Sequence, residues 1–373
     1  MASNLLPILT TSERSCFKRC PQKWWWRYRD GFLSPEESAD ALWFGIGVHE
    51  ALAQWYKKGK ARGVHPAKYF RDWVGDEMRE IRAQYANDSD GWTGEPLYVQ
   101  AGQLGEAMLD NYVLKYGRDP GWRVIATEQQ FSVNLSYHGK VIGTFKSTFD
   151  GVYYDEEDGR YKLMEHKTAG SIQTAYLELD DQGGSYFAVA SAVLAAKGLL
   201  PEGCRIEEIT YNFLRKTEGD DRPQNELGQY LNNPTKDHYV AALTGLDGWT
   251  ATQLKKMTVG ELDSIAAANH LVVQGEVSKK QPPPSFLREP VERGIRDGKQ
   301  QMRKIADEMA VMLAMRDGAI PVFKTPTKDC PRCEFFHMCT LHDRGGDDWK
   351  ELAAAEYYRA DPYERYTIKS ASA

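Results

Sequence analysis

The chain is short of the features that mark membrane, secreted and broadly basic proteins. No apolar run approaches the roughly 18 uncharged residues of a bilayer span, and the leading segment MASNLLPILTTSER has no charged lead before an apolar stretch. Both absences predict a cytoplasmic protein without membrane contact. Cysteine is scarce: Cys16, Cys20, Cys204, Cys330, Cys333 and Cys339 are all there is in 373 residues, gathered towards the two ends with one between. That fits a secreted disulfide framework poorly, and clustered thiolates in a reducing compartment point to metal or redox chemistry. Excess positive charge is missing too. The formal net charge is −6, so any affinity for phosphate has to be local. No GxxxxGK[ST] loop occurs, so unwinding of nucleic acid would fall to a partner.

One local basic stripe is present. Arg14, Lys18, Arg19, Lys23, Arg27 and Arg29 are interleaved with Trp24, Trp25, Trp26 and Tyr28. Two readings stay open: a helix with an aromatic core face and a solvated basic face, or a surface on which bases stack while cations track phosphates. Residues 11–29 predict helix interrupted at Pro21, and 44–58, 66–86 and 97–116 carry apolar residues at helical spacing. After Gly121 the pattern changes to β-branched and aromatic residues, and WRVIATEQQFSVNL, KVIGTFKSTFDGVYY and RYKLMEHKT predict three consecutive antiparallel strands. A helix over about 174–198 and the strand CRIEEITYNFLRK follow, which places Cys204 in the core. Beyond a polar loop to about 235 the pattern predicts a helix near 250–272, the rigid segment QPPPS, and a long helix opened by Pro290 and ending near Gly318. The resulting division is a helical region over 1–120, an α/β core over 121–217, a helical region with the cysteine cluster over 218–345, and a polar, loosely held tail over 346–373.

The chemistry concentrates in the strands. Asp150 ends one of them, and fifteen residues later the next carries Glu165, His166 and Lys167. Period-two alternation puts Glu165 and Lys167 on one face and Met164 and His166 on the other. Carboxylates that hold a hard cation, beside a cation that stabilises developing charge, are what phosphodiester hydrolysis needs. Upstream, FGIGVHEALAQWY sets His49 in an amphipathic helix behind two glycines; the second His of a zinc-protease helix is absent. Downstream, DDQGGSYFAVASAVLAA sets Gln182 and Tyr186 four apart on one helix face, with two glycines between them that cost the helix about 1 kcal/mol each. Close packing or a ligand would explain them. Finally, DCPRCEFFHMC gives Cys330, Cys333 and Cys339 a spacing that metal sites use.

In this order, the basic aromatic helix with Cys-Pro, G-x-x-HEAL, Asp before Glu-x-Lys, Gln-x-x-x-Tyr and the late cysteines, the chain resembles the RecB-like and AddB-like iron-sulfur nucleases of the PD-(D/E)xK superfamily, including those of CRISPR adaptation. The likeness spans residues 12–340. It implies a restriction-endonuclease-like mixed sheet flanked by helices, with a helical N-terminal region and a cysteine-clamped C-terminus. It further implies that His49, Asp150 and Glu165 hold Mg²⁺ or Mn²⁺, with the His166 backbone carbonyl as an extra ligand. Lys167 would position the attacking water, and Gln182 and Tyr186 would line the site and hold DNA. Glu128 would be either a supporting acid or an exposed strand residue. Cys20 would join Cys330, Cys333 and Cys339 around a [4Fe-4S] cluster, with zinc as the rival because His337 lies among them. The implied activity is a metal-dependent DNA exonuclease or end-processing enzyme of repair or recombination, acting on single strands or free ends, with a helicase as a possible partner. The alternatives are a non-catalytic iron-sulfur DNA-binding factor and a zinc-stabilised RNA-processing enzyme. Two departures stand out: Ser147 replaces a common Gly three residues before Asp150, and Glu replaces the frequent Asp at 165.

Overall fold

The computed structural model describes residues 6–34, 41–85, 92–220 and 222–363. Its first part runs β1 (Ile8–Thr10), α1 (Thr11–Arg19), α2 (Pro21–Trp24), a π-helical turn over Trp25–Arg29, and β2 (Phe32–Leu33). The Thr10 hydroxyl accepts the Glu13 N–H at 3.1 Å and so caps α1, while Pro21 sits in the first turn of α2, where its missing N–H costs nothing. Three helices follow: α3 (Ala41–Trp55), α4 (Pro66–Gln84) and α5 (Glu95–Tyr116). The core strands are β3 (Trp122–Tyr137), β4 (Lys140–Asp155) and β5 (Arg160–Ala169), followed by α6 (Asp181–Ala196) and β6 (Ile206–Arg215). A tight turn through His138 and Gly139, both at positive φ (47° and 77°), joins β3 to β4 with the hand that hairpins favour.

Residues 218–285 form a compact unit of their own, with α7 (Lys236–Leu243), α8 (Ala251–Leu254) and α9 (Val259–Ala268) around Leu243, Leu254 and Leu262. The single helix expected over 250–272 is thus two. The Thr258 hydroxyl and the Glu261 carboxylate exchange hydrogen bonds with each other's backbone and start α9 afresh. After this unit the chain returns to the sheet as β7 (Phe286–Glu292) and continues as α10 (Ile295–Arg316), α11 (Phe336–Asp343), α12 (Asp348–Glu356) and β8 (Tyr358–Arg359).

Four expectations need correction here. Pro290 lies inside β7 and does not open α10; β7 pairs only with β6, and an edge strand tolerates a residue without an N–H. Because β7 belongs to the sheet, 218–345 is not one helical region. Residues 348–359 are ordered as α12 and β8, the latter pairing with β2, where a loose tail was expected; Ala353 and Trp349 pack on Trp26 and Phe335. Residues 364–373 of that tail lie outside the described residues. Cys204 is exposed, because β6 starts two residues later and the turn before it faces solvent.

The sheet has helices on both faces. Leu163, Phe149, Phe145 and Phe131 pack with α6 and α10 on one face, and Met164, Tyr153 and Leu214 pack with α3, α4 and α5 on the other. β3 runs antiparallel along the whole of β4. The other edge of β4 is divided between β1, paired in parallel at Thr144–Lys146, and β5, paired antiparallel at Gly151–Asp155. Residues 147–150 are left with no strand beside them on that edge, and this break in the ladder positions the site.

Candidate active site

Asp150 and Glu165 stand just past the last β4–β5 rung, Gly151 with Met164, where the two strands part. The His166 N–H donates to Asp150 Oδ2 at 2.7 Å, and His49 Nδ1 on α3 lies 3.3 Å from Asp150 Oδ1. Gly47, two residues before His49, lets α3 pack closely on α4; a Cβ there would collide with Trp73 and Phe70. Glu165 is 1 % exposed. Its Oε1 accepts from Lys167 Nζ at 2.9 Å, while its Oε2 is buried with no hydrogen-bond partner. Lys167 Nζ also donates to Gln182 Oε1 at 2.7 Å, and Gln182 Nε2 to the Tyr186 hydroxyl at 3.3 Å. Asp180 caps α6 by accepting from the N–H groups of Gln182 and Gly183, which fixes the turn that carries Gln182. The glycines within that turn answer to packing: a Cβ at Gly183 would strike the Tyr211 hydroxyl, and one at Gly184 the Gln301 amide.

Ser147 uses the position where relatives often have Gly. It is buried, accepts from Thr11 at 3.2 Å, and donates to the Tyr186 hydroxyl at 3.1 Å. His166 turns its ring to the opposite face, as strand alternation requires, and there meets Asn212.

Glu128 is the residue that sequence reasoning undervalued. It lies on β3 opposite Asp150, where the β3–β4 register skips a pair, and its φ of 44° is rare for a non-glycine residue. Its side chain is exposed, yet His49, Glu128 and Asp150 each bring a ligand atom within 4.8 Å of the others. Glu165 is not part of that trio. No sequence spacing announces this acid; only the left-handed backbone turns it inward.

The electrostatics follow from crowding. Burial, then the charge of Asp150, pushes the carboxyl of Glu165 well above the usual range; at Glu128, open to solvent on its outer side, the protein packed round the carboxyl and then the same charge push it up as well. Burial would raise Asp150 as well, but His49 and the His166 N–H outweigh it and hold it low. Burial would lower His49, yet Asp150 keeps its imidazole up at about 9. Three acids that repel one another and a buried carboxylate oxygen without a partner are the donor set a hard divalent cation satisfies.

A second site, a cavity of about 730 Å³, is lined by Cys20, Cys330, Cys333 and Cys339 together. Cys16 is not part of that lining; it packs on the main core, and burial pushes its thiol up to about 12. The Thr327 N–H points at Cys330 Sγ at 3.2 Å. Four soft donors around one cavity suit a metal centre.

Of the four aromatics in the basic stripe, two take the core reading and offer no surface for stacking, while Trp25 and Tyr28 are half-buried. Trp24 and Trp26 are 4 % and 2 % exposed, in the main core and against Phe335 respectively. Several cations of the stripe meet acids: Arg14 with Glu308 at 2.5 Å, Lys18 with Asp181, and Lys23 and Arg27 with Glu334 at 3.1 and 3.3 Å. Among the described residues no helix is long and apolar enough to cross a membrane.

No curated protein matches this chain. A family model does, over residues 9–340, and its span takes in the strand-end acids, the lysine between them and Gln182, and all four cysteines of the second cavity. The family's members are nucleases that use divalent metals, which agrees with a hollow of acids and histidine at a broken ladder, and the chain belongs to the PD-(D/E)XK nuclease superfamily.

Proposed function

We propose that the chain is a Mg²⁺- or Mn²⁺-dependent deoxyribonuclease that works from DNA ends, acting on single strands and serving repair or recombination. The observation that carries the hydrolytic reading is the crowding of His49, Glu128 and Asp150, with ligand atoms within 4.8 Å of one another, beside the strand-end Glu165, whose Oε1 accepts from Lys167 and whose Oε2 has no partner. The preference for ends and for single strands rests on the resemblance to RecB-like nucleases, as does the expectation of a helicase partner.

Asp150, Glu165 and His49 would hold the cation, with Glu128 at its exposed side and the His166 carbonyl as a further donor. A bound divalent cation supplies a Lewis acid for the scissile phosphate and lowers the pKa of a ligated water. Lys167 is pinned between Glu165 and Gln182, so its ammonium stays where charge develops on the phosphate and where an attacking water must sit. Tyr186, fixed by Ser147, and Gln182 offer hydrogen bonds to the strand being cut.

We also propose that Cys20, Cys330, Cys333 and Cys339 bind a [4Fe-4S] cluster in preference to zinc. The preference rests on the resemblance to RecB-like iron-sulfur nucleases, while four thiols lining one cavity suit either metal centre. Iron and sulfide analysis of anaerobically purified protein tests this; zinc with no iron would overturn it.

The test of the enzyme is digestion of end-labelled single- and double-stranded DNA with Mn²⁺ or Mg²⁺, beside Lys167→Ala. Cation-dependent shortening that is lost in the variant is expected. Binding without hydrolysis under either cation would instead support the non-catalytic DNA-binding factor.

A further inference from the structure

Behind the hollow, on the sheet face away from Lys167, lies a buried network that the proposed chemistry does not use. His166, Asn212 and Arg288 are register partners across β5, β6 and β7, so their side chains form one row. Asn212 Nδ2 lies 2.8 Å from His166 Nδ1, and Arg288 Nε reaches Asn212 Oδ1 at 3.4 Å. The guanidinium is clamped on both flat faces, 3.6 Å from the Tyr116 ring centroid and 4.2 Å from that of Trp122. Its forked end donates to both Asp119 oxygens at 2.5 and 3.0 Å, and to the hydroxyls of Tyr56 and Tyr112 at 2.9 Å each.

Two features set this apart from an ordinary buried ion pair. Asp119 is held at a φ of 43°, a left-handed backbone that costs energy in a non-glycine residue and persists only where its surroundings impose it. The network also touches both structures that supply the ligands of the hollow. Tyr56 directly follows α3, seven residues after His49, and its ring stacks on His166 at 6.2 Å. His166 in turn carries the N–H that orients Asp150, and its ring meets that of His49 edge-on at 5.6 Å.

We infer that Arg288 is a positioning residue: by tying Tyr56 at the end of α3 to the Asn212–His166 row, it sets the spacing between His49 and Asp150 and so the affinity for the divalent cation. A fork is needed for this, because a single ammonium cannot hold Asp119, two phenols and an amide at once. Partners that orient ligands in this way typically change metal affinity 10- to 100-fold when lost.

The inference rests on the proposed metal site, and the experiment separates the two. Mn²⁺ binding to the full chain is followed by the loss of the free-ion electron paramagnetic resonance signal. The variants are Arg288→Lys, which keeps the charge, Tyr56→Phe, which keeps the ring, and Asp150→Asn. Leu135→Ala, at the far hairpin end of β3, serves as a stability control. Arg288→Lys and Tyr56→Phe are expected to weaken Mn²⁺ binding by about tenfold, while the control binds as the parent does whatever its loss of melting temperature. The rate at saturating Mn²⁺ should fall much less than the affinity. Parent-like binding in both Arg288→Lys and Tyr56→Phe, with binding lost in Asp150→Asn, overturns the role of Arg288 alone. Parent-like binding in Asp150→Asn overturns the metal site itself and this inference with it. Should Arg288→Lys fail to fold, Tyr56→Phe decides by the same criterion.

Discussion

The acidic hollow and the cysteine cavity of this molecule are built in opposite ways. The acidic hollow draws its side chains from long strands and helices, and nearly every one is held by a neighbour: Asp150 by His166, Lys167 by Gln182, Gln182 by Tyr186, Tyr186 by Ser147. The cysteine cavity draws its thiols from the junction of α1 and α2, a short turn at Cys330–Arg332 and the one small helix α11. Its small core of Trp26, Phe32, Phe335, Met338 and Ala353 is far smaller than those on the faces of the sheet. The first site is organised before its cation arrives. The second, in the reading proposed above, would lean on the cluster it holds, and α1, about 13 Å long, lies between the two: Thr11 reaches the hollow through Ser147 at its start, and Cys20 follows its end.

The largest effect that would break this contrast is removal of the thiols. A cross-link between residues 20 and 330 closes a loop of a size that contributes about 5 kcal/mol by restricting the unfolded chain. Cys330→Ser with Cys333→Ser should therefore lower the melting temperature sharply and expose residues 324–345 to protease. Mn²⁺ binding at the hollow should survive at low temperature, and its loss there would mean the two regions are not independent.

Next in size is Lys167→Ala, expected to reduce cleavage about 10³-fold, as loss of one charge-stabilising donor does. The far-ultraviolet circular dichroism should be that of the parent. A comparable loss of helical signal would assign the effect to folding.

Glu128 sharpens the comparison, because a preorganised site stores strain. Glu128→Gly should raise stability by about 1 kcal/mol while weakening Mn²⁺ binding, and Glu128→Gln should weaken binding without the gain. Calorimetry and titration of both variants decide it; a destabilised Glu128→Gly would show that the left-handed backbone carries no cost. The smallest effect on rate is expected at Ser147→Ala, which removes the hydrogen bonds to Tyr186 and from Thr11, worth about 1 kcal/mol each. Chemical denaturation measures the loss, with little change in rate.

Much of the hollow was legible because it obeys short-range periodicities. Alternation placed Glu165 and Lys167 together and turned His166 away, and four-residue spacing joined Gln182 to Tyr186. The four cysteines were legible from spacing plus resemblance, and they line one cavity. What escaped is set by contacts distant in sequence. Pro290 is compatible with helix or edge strand, and only the position of β6 decides between them. Trp24 and Trp26 read equally well as core or as surface until Phe335 and the main core bury them. Arg288 and Asp119 are ordinary charges in sequence and become a pair only when β7 lies beside β6 and the rings of α5 and β3 close on them. The Thr258–Glu261 capping box, by contrast, is visible in the sequence and divides what apolar spacing alone reads as one longer helix.

The last paired rung of β6 and β7, Leu214 with Phe286, has a further consequence. Everything from 218 to 285 departs from and returns to adjacent strands, so the sheet treats a whole folded unit as it would a hairpin turn. Its two points of attachment are a strand spacing apart, about 5 Å. That makes this seam the point at which a tag, a sensor or a shorter turn would join the sheet, on strands whose last shared rung is Leu214 with Phe286 and not one that carries an acid of the hollow.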